Sequence, residues 1–332
     1  MTDITNVRSP VSGSRIVTLT MNPALDIATS TEIVMPTEKM RCSAARYDPG
    51  GGGINVARVA RTLGASVVAL FPAGGASGDL FADMLEAIGI SAHMIPIAGS
   101  TRESITVNEL RTQRQYRFVL PGPTLTAAEQ TECLNQLREV AATADFVVAS
   151  GSLPPGVSPE FYNRIADVCA QLDAPLVLDA SGGGLQHLTG GNVYLLKPSI
   201  RELRECVRRE LGSEAEQVAA ARELIERGGA RNVLVSLGAQ GALLVTADGA
   251  QRYPAVEVPP GSGVGAGDAM VAGVTCGLGR GWGLPKSVRL GIAAGAAMLM
   301  TPGTASCTRA DVERLFDRTP DPVDLTVPAA DR

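Results

Sequence analysis

From Thr126 to Ser236 short β-branched runs alternate with helical stretches, and that rhythm constrains the fold more than any other feature of the chain. A helix predicted over 126–141 leads to a strand at 145–149 (DFVVA), and one over 159–171 leads to 175–179 (PLVLD). A strand at 193–196 precedes helices at 199–209 and 214–227, which lead to 232–236 (NVLVS). Earlier, Arg15–Met21 and Ser66–Phe71 read as strands, with helices running from Pro49 to Leu63 and from Ser77 to Ile88. Parallel neighbours need crossover connections, and helices used as crossovers cover both faces of the sheet. The expected fold is therefore α/β, a doubly wound, mostly parallel sheet.

Two segments break the rhythm. Strand-like pieces at Glu32–Met35 and Ser43–Tyr47 are too short for a core sheet, and SITVNEL and QYRFVL fall between Arg102 and Leu120. Together they predict a small β-sheet lid built from segments 31–48 and 102–120. Residues 1–14 read as a flexible arm, 15–318 as one domain and the Pro- and acid-rich 319–332 as a flexible tail. No internal repeat or linker divides the chain.

Where the main strands end, ligand-type residues collect: Asn22 and Asp26, Ala73 to Gly75, Ser150 to Ser152, Asp179, Lys197, Ser236 and Gly238. Open α/β sheets bind ligands outside the carboxyl ends of their strands. Turns are polar for their own reasons, yet that accounts poorly for repeated Gly-Ser and Asp at these ends. Net charge is −5 and no basic run occurs, which argues against nucleic-acid or membrane-surface binding. Six dispersed cysteines without C-x-x-C suggest reduced thiols in the cytoplasm. The longest uncharged apolar run, Leu290–Met300, is too short for a membrane span of ~20 residues.

The densest local signal is Pro259–Ala272, PPGSGVGAGDAMVA, where a helix opens near Gly265–Asp268. Amides at a helix start form an anion site, and Asp268 beside it would accept a proton while phosphate charge sits on those amides. The plainer reading is that Asp268 caps the helix. Gly261, Gly263 and Ala266 also fit the dinucleotide pattern G-x-G-x-x-A. That pattern belongs in an opening βαβ unit with an acid ~20 residues on, where this chain has Lys286. No Gly-Lys pair occurs, so a Walker-A loop is excluded, and with two histidines a Ser-His-Asp triad is improbable.

Taken together, Pro49-GGGGINVAR, Ser150-GSLPPG, Leu196-KPS with Glu202, Val235-SLGAQGA and Val264-GAGDAM resemble the ribokinase/PfkB carbohydrate-kinase family. TMNPALD, TEKMRC and YRFVLPGP strengthen the likeness towards its 6-phosphofructokinase branch, as does an all-glycine Gly50–Gly53. The resemblance runs from about Arg15 to Cys307. It implies a ribokinase-like fold, ATP and Mg²⁺, phosphorylation of fructose 6-phosphate to fructose 1,6-bisphosphate, and a homodimer formed through the lid. Residue by residue, it implies Asp268 as general base, with Gly265, Ala266 and Gly267 stabilising the transferring phosphoryl group. It implies Asp26, Gly52, Gly53 and Asn55 on the sugar hydroxyls and Lys39, Arg41 and Arg102 near the sugar phosphate. Lys197, Ser199, Ser236, Gly238 and Gly241 fall to the nucleotide, and Glu202 to the metal through water.

One departure matters. The family's Asn-x-x-Glu reads Ser199-Ile-Arg-Glu202 here, and a hydroxyl accepts more weakly than an amide carbonyl. A 1-phosphofructokinase, a tagatose-6-phosphate kinase and a non-catalytic nucleotide or sugar sensor stand as alternatives. An NAD-dependent dehydrogenase rests on the G-x-G-x-x-A pattern alone.

Overall fold

The computed structural model describes residues 14–181, 183–259, 263–301 and 306–325. Residues 1–13 of the expected 1–14 arm, Gly261 of the dinucleotide pattern and the tail after 325 lie outside the described residues. The strands are β1 (Arg15–Leu19), β2 (Ala24–Thr31), β3 (Arg46–Gly50), β4 (Ser66–Ala73), β5 (Ser91–Pro96), β6 (Arg102–Glu109) and β7 (Gln115–Val119). They continue as β8 (Phe146–Gly151), β9 (Leu176–Ala180), β10 (Val193–Leu196), β11 (Asn232–Ser236), β12 (Ala242–Val245), β13 (Ala250–Tyr253) and β14 (Val323–Leu325). The helices are α1 (Gly52–Thr62), α2 (Gly75–Ala87), α3 (Ala127–Val140), α4 (Phe161–Gln171) and α5 (Ile200–Val207). Next come α6 (Glu214–Glu226), α7 (Ala266–Gly279), α8 (Leu284–Leu299) and α9 (Arg309–Arg318).

The large sheet has the order β14-β13-β12-β11-β10-β9-β8-β1-β4-β5. From β5 to β11 all neighbours are parallel, and β12, β13 and β14 add antiparallel strands at one edge. Alternate residues on the central strands serve two cores, as a period of two requires. Val147, Leu176 and Val233 pack with α3, α4, α5 and α6 on one face. Val148, Val177 and Leu234 pack with α1, α2, α7, α8 and α9 on the other. Strands apolar on both sides are what a doubly covered parallel sheet needs.

Several expectations need correction. The first lid limb was expected over 31–48. The small sheet, ordered β3-β2-β6-β7, instead uses Ala24–Thr31 and Arg46–Gly50, while Glu32–Met35 lies in no strand. Pro49 does not begin a helix; it pairs with Leu25 in β3, an edge strand that tolerates proline, and α1 starts at Gly52. The tail expected to fray from Thr319 contains β14, which pairs with β13. Leu290–Met298 is buried within α8, packed on α7. Among the described residues no helix is long and apolar enough to cross a membrane.

The chain leaves β1 towards β4 and β5 on one side, then returns to build β8 to β11 on the other. Strand order therefore reverses between β1 and β8. A crevice opens at such a point.

Candidate active site

The loops after β1 and β8 flank this reversal and are tied across it, Asn22 Nδ2 donating to Ser152 Oγ at 3.1 Å. Just beyond, α1 starts against the end of β8. A Cβ at Gly52 would overlap the Ser150 hydroxyl, so glycine lets the two backbones close. From this meeting point two side chains reach Asp268. Asn55 Nδ2 donates to Oδ2 at 2.9 Å and Ser150 Oγ donates to Oδ1 at 3.1 Å.

Asp268 is the third residue of α7. It does not cap the helix: the N-cap is Gly265, in the left-handed region at φ 77°, and no side chain caps the opening amides. The carboxylate turns instead to Asn55 and Ser150. The first N–H groups of α7 have no carbonyl within the helix, the Ala266 amide donating to the preceding Gly263 carbonyl at 3.4 Å, and the helix dipole makes this end electropositive. Burial pushes Asp268 up to about 7, helped by the Asp179 charge and opposed by Asn55, Lys197 and Ser150. A carboxylate near neutrality is a proton acceptor matched to physiological pH.

Lys197, at the end of β10, is 4% exposed, and its Nζ lies 3.1 Å from Asp179 Oδ1. Burial works against its charge, but Asp179, Glu202 and Asp268 outweigh that and raise its pKa. Its ammonium stands 3.5 Å from where a Cβ on Gly267 would be. A fixed cation thus adjoins Gly267 in the first turn of α7, and a cation beside a helix start is a combination that stabilises phosphoryl charge.

On the neighbouring strand ends, Ser199 caps α5 in a reciprocal box with Glu202. Glu202 Oε2 accepts from the Ser199 amide at 2.7 Å and its hydroxyl at 2.8 Å, which leaves Oε1 without a hydrogen bond among the described residues. Ser236 ends β11 and bridges to Ser199. Gly238 follows with open space where a side chain would be, and Gly241 packs its α-carbon against the Tyr253 carbonyl. Lys197, Ser199, Glu202, Ser236 and Gly238 thus succeed one another along adjacent strand ends.

The lid side is looser. Asp26 in β2 lies against Gly50, and burial raises it to about 6, with Arg117 and then Arg102 opposing. Arg102, at the start of β6, donates to the Asn22 carbonyl at 3.1 Å and the Leu120 carbonyl at 3.3 Å. Its Nε is buried without a partner. Lys39 and Arg41 sit exposed on the loop between β2 and β3, and neither side chain makes a hydrogen bond or ion pair among the described residues. Gly53 approaches the Leu19 carbonyl and Thr20 hydroxyl. A cavity of about 600 Å³ opens on the lid, lined by Asp26, Arg46, Asn108, Arg117 and Val264 among others. Arg117 is not among the expected site residues, and the sequence assigns no site role to Ser150, which opens one family motif, or to Asp179 at its strand end. The alternation of QYRFVL carried some signal for Arg117; nothing local pointed Ser150 at Asp268.

A carboxylate beside helix-start amides and a buried lysine, at the reversal point of a doubly wound sheet with a β-lid, defines a small-molecule kinase of ribokinase-like fold. Residues 19–311 match the pfkB family carbohydrate kinase model, and the chain belongs to that family. It is 63% identical over 311 residues to the ATP-dependent 6-phosphofructokinase isozyme 2 of Mycobacterium tuberculosis H37Rv, covering 94% of this chain and 91% of that one. Against the isozyme 2 enzyme of Escherichia coli K12 the identity is 39% over 303 residues, 91% of this chain and 98% of that one. The crystal structure of Escherichia coli phosphofructokinase-2 in complex with fructose-6-phosphate matches with a TM-score of 0.84 and 37% identity. The match covers 92% of this chain and 99% of that one.

Proposed function

We infer that this chain is an ATP-dependent 6-phosphofructokinase, transferring the γ-phosphoryl group of ATP to fructose 6-phosphate and yielding fructose 1,6-bisphosphate and ADP. The observation that carries the chemistry is the Asp268 carboxylate in the first turn of α7, where the buried Lys197 ammonium lies beside Gly267. Asp268 takes the proton of the sugar's primary hydroxyl as that oxygen bonds to the γ-phosphorus and the bond to ADP breaks. The Gly265–Gly267 amides and Lys197 meet the charge on the transferring group, the positioning and electrostatics that phosphoryl transfer needs. Asp26, Gly52, Gly53 and Asn55 hold sugar hydroxyls, and the Asn55 side-chain oxygen is available while its Nδ2 holds Asp268. Arg102, with Lys39 and Arg41 from the loop, meets the sugar phosphate. Ser199, Ser236, Gly238 and Gly241 form the nucleotide side.

Mg²⁺ fits this arrangement. No group of three or more His, Cys, Asp or Glu among the described residues could cage a metal, and Mg²⁺ in such enzymes relies on phosphates, waters and one or two carboxylates. The Glu202 Oε1 left over from the capping box suits an outer contact through water. When bound, the ion neutralises phosphate charge. The exposed Tyr47, Phe118 and Val119 of the lid support pairing of two copies through it. Six unpaired cysteines among the described residues support a cytoplasmic setting.

The test is ADP release in a coupled assay over fructose 6-phosphate, fructose 1-phosphate, tagatose 6-phosphate and unphosphorylated sugars. Highest kcat/KM for fructose 6-phosphate is expected. A better substrate among the others would reassign the enzyme within its family, and no turnover with any of them would leave a binding protein. Sedimentation of the parent and of Phe118→Asp would report the lid pairing.

A further inference from the structure

Asp268 is held at both oxygens. Asn55 Nδ2 grips Oδ2 from α1, and Ser150 Oγ grips Oδ1 from the end of β8. A carboxylate torsion is broad when left alone, so two donors from opposite sides fix the plane in which it meets the incoming hydroxyl. Asn55 rides on a packed helix and is well anchored. Ser150 is 5% exposed and sits at the end of β8, followed by Gly151 at φ 106°, and the two pair with Asp179 and Ala180 of β9. A side chain from the covering helix adds to that pairing. Tyr162 of α4, 3% exposed, donates its hydroxyl to the Gly151 carbonyl at 2.8 Å.

We propose that Tyr162 and Ser150 form a positioning chain for the base. The Tyr162 hydroxyl fixes the Gly151 peptide, which aims the Ser150 hydroxyl, which with Asn55 holds the Asp268 carboxylate in its working orientation. This rests on the reading of Asp268 as the base. Tyr162 touches neither sugar nor nucleotide in it; its position on the far side of β8 from α7 suits an indirect role. A phenol on a packed helix, with its ring filling the space against Gly184, could serve the core equally well as phenylalanine. Its hydroxyl, however, donates to the Gly151 carbonyl at the end of β8 and also meets the Ser181 backbone just after β9, both at the catalytic edge of the sheet.

The charged groups facing Asp268 are Asp179 at the end of β9 and Lys197 after β10, with the uncharged donors Asn55 and Ser150 completing its surroundings. Donors to the charged form favour it, so losing the Ser150 hydroxyl must move the acid limb of kcat/KM to higher pH. Repacking of the loop alone would lower kcat without moving the limb.

The experiment measures kcat/KM for fructose 6-phosphate against pH in Ser150→Ala, Tyr162→Phe, the double variant and Asp268→Asn, with KM for ATP as a check on folding. Ser150→Ala should lower kcat about 10- to 100-fold, the range for a hydrogen bond to a charged group, and move the acid limb up by about one pH unit. Tyr162→Phe should shift both in the same direction by less. In the double variant, Tyr162→Phe should add nothing to Ser150→Ala, because the chain is already cut. Additive effects in the double variant would overturn the chain. So would an unmoved acid limb in Ser150→Ala while Asp268→Asn is inactive, an outcome that leaves Asp268 as the base. Turnover retained in Asp268→Asn would instead remove the base itself, and the proposal with it.

Discussion

The two sheets of this molecule prepare their ligands in opposite ways. At the carboxyl edge of the large sheet, Asn55, Ser150, Asp268, Asp179 and Lys197 are hydrogen-bonded or paired before any ligand arrives. In the lid, Lys39 and Arg41 stand exposed without partners among the described residues, and Arg102 holds only backbone carbonyls. A transition state is stabilised best by groups that need no rearrangement at the moment of reaction. A sugar phosphate must also enter and leave, and a flexible cation on a surface loop gives up little when its ligand departs. On the proposed function, this contrast assigns kcat to the large sheet and KM to the lid.

The largest effect that would break this division is expected at Asp268. Asp268→Asn keeps the shape of the side chain and removes the proton acceptor, and general-base catalysis contributes roughly 10²- to 10⁴-fold. Turnover should fall by that factor while ATP binding, followed by calorimetry, persists. A variant that loses nucleotide affinity and turnover together would show that Asp268 supports the site rather than the proton transfer.

The lid residue with the next largest effect is Arg102. A charge-assisted hydrogen bond is worth ~1.5–3 kcal/mol, so Arg102→Ala should raise KM for fructose 6-phosphate about 10- to 150-fold. KM for ATP should stay within about twofold, with a smaller fall in kcat because remote binding energy helps to position the reacting end. Steady-state kinetics in both substrates decide it. If kcat collapsed and the sugar KM held, the lid would belong to the catalytic apparatus and the contrast between the sheets would fail.

How much of this could be read from the chain depends on whether the cause is local. The strands β8, β9 and β11 announce themselves because each is a β-branched run bounded by turns, buried on both faces. Asp268 could be singled out because glycine and small residues on either side of it leave few reasons for an acid there. By contrast, α8 carries Ala and Gly all round, since it is enclosed by α7, α9 and the core, and a helix buried on every side has no polar stripe to mark it. β2 is hard to read locally because Ile27, Thr29 and Thr31 of ALDIATST are interspersed with Ala, Asp and Ser, and the strand is held by two partners, β3 and β6. The clamp on Asp268 joins residues 213 and 118 positions apart, and no spacing rule reaches that far. Arg117 acts on Asp26 from two strands away, a relation that only the register of the lid creates.

The two carboxylates should also separate the sheets by pH. Asp268 sits near 7 and Asp26 near 6, each raised chiefly by burial. In the proposed sugar site the anionic form of Asp26 is the hydroxyl acceptor, and on that reading KM for fructose 6-phosphate should rise by about three- to tenfold as pH falls from 7 to 5. The sugar's own phosphate titrates near pH 6 as well, which is why the informative quantity is the difference between the parent and Asp26→Asn. The variant should lose the part of the pH dependence that belongs to Asp26 and keep the fall of kcat through pH 7. A parent and variant with parallel KM profiles would take Asp26 out of sugar binding.

The smallest effect concerns stability, and it tests whether the catalytic edge is under electrostatic strain that the lid escapes. Folding raises the Asp268 carboxyl from the ordinary 3.8 to about 7. Between these values the native state holds a proton that the unfolded chain has released, so the contribution of this group is favourable at low pH. It is lost progressively as pH rises through 7. Above that, an ionised carboxylate faces Asp179 with only Asn55, Ser150 and Lys197 to offset it. Asp268→Asn abolishes the titration. Whatever its absolute stability, the variant should therefore gain on the parent as pH is raised from about 4 to about 7, by on the order of a few degrees in Tm. Beyond pH 8 the gap should stay constant. The control is Lys39→Ala in the lid, whose Tm difference from the parent should not vary over the same range, because its exposed side chain has no partner among the described residues. Thermal unfolding of the two variants and the parent in matched buffers measures both. A flat Asp268→Asn difference would mean that the carboxylate is fully compensated in the folded state, and that the large sheet carries its catalytic charge at no cost to the fold.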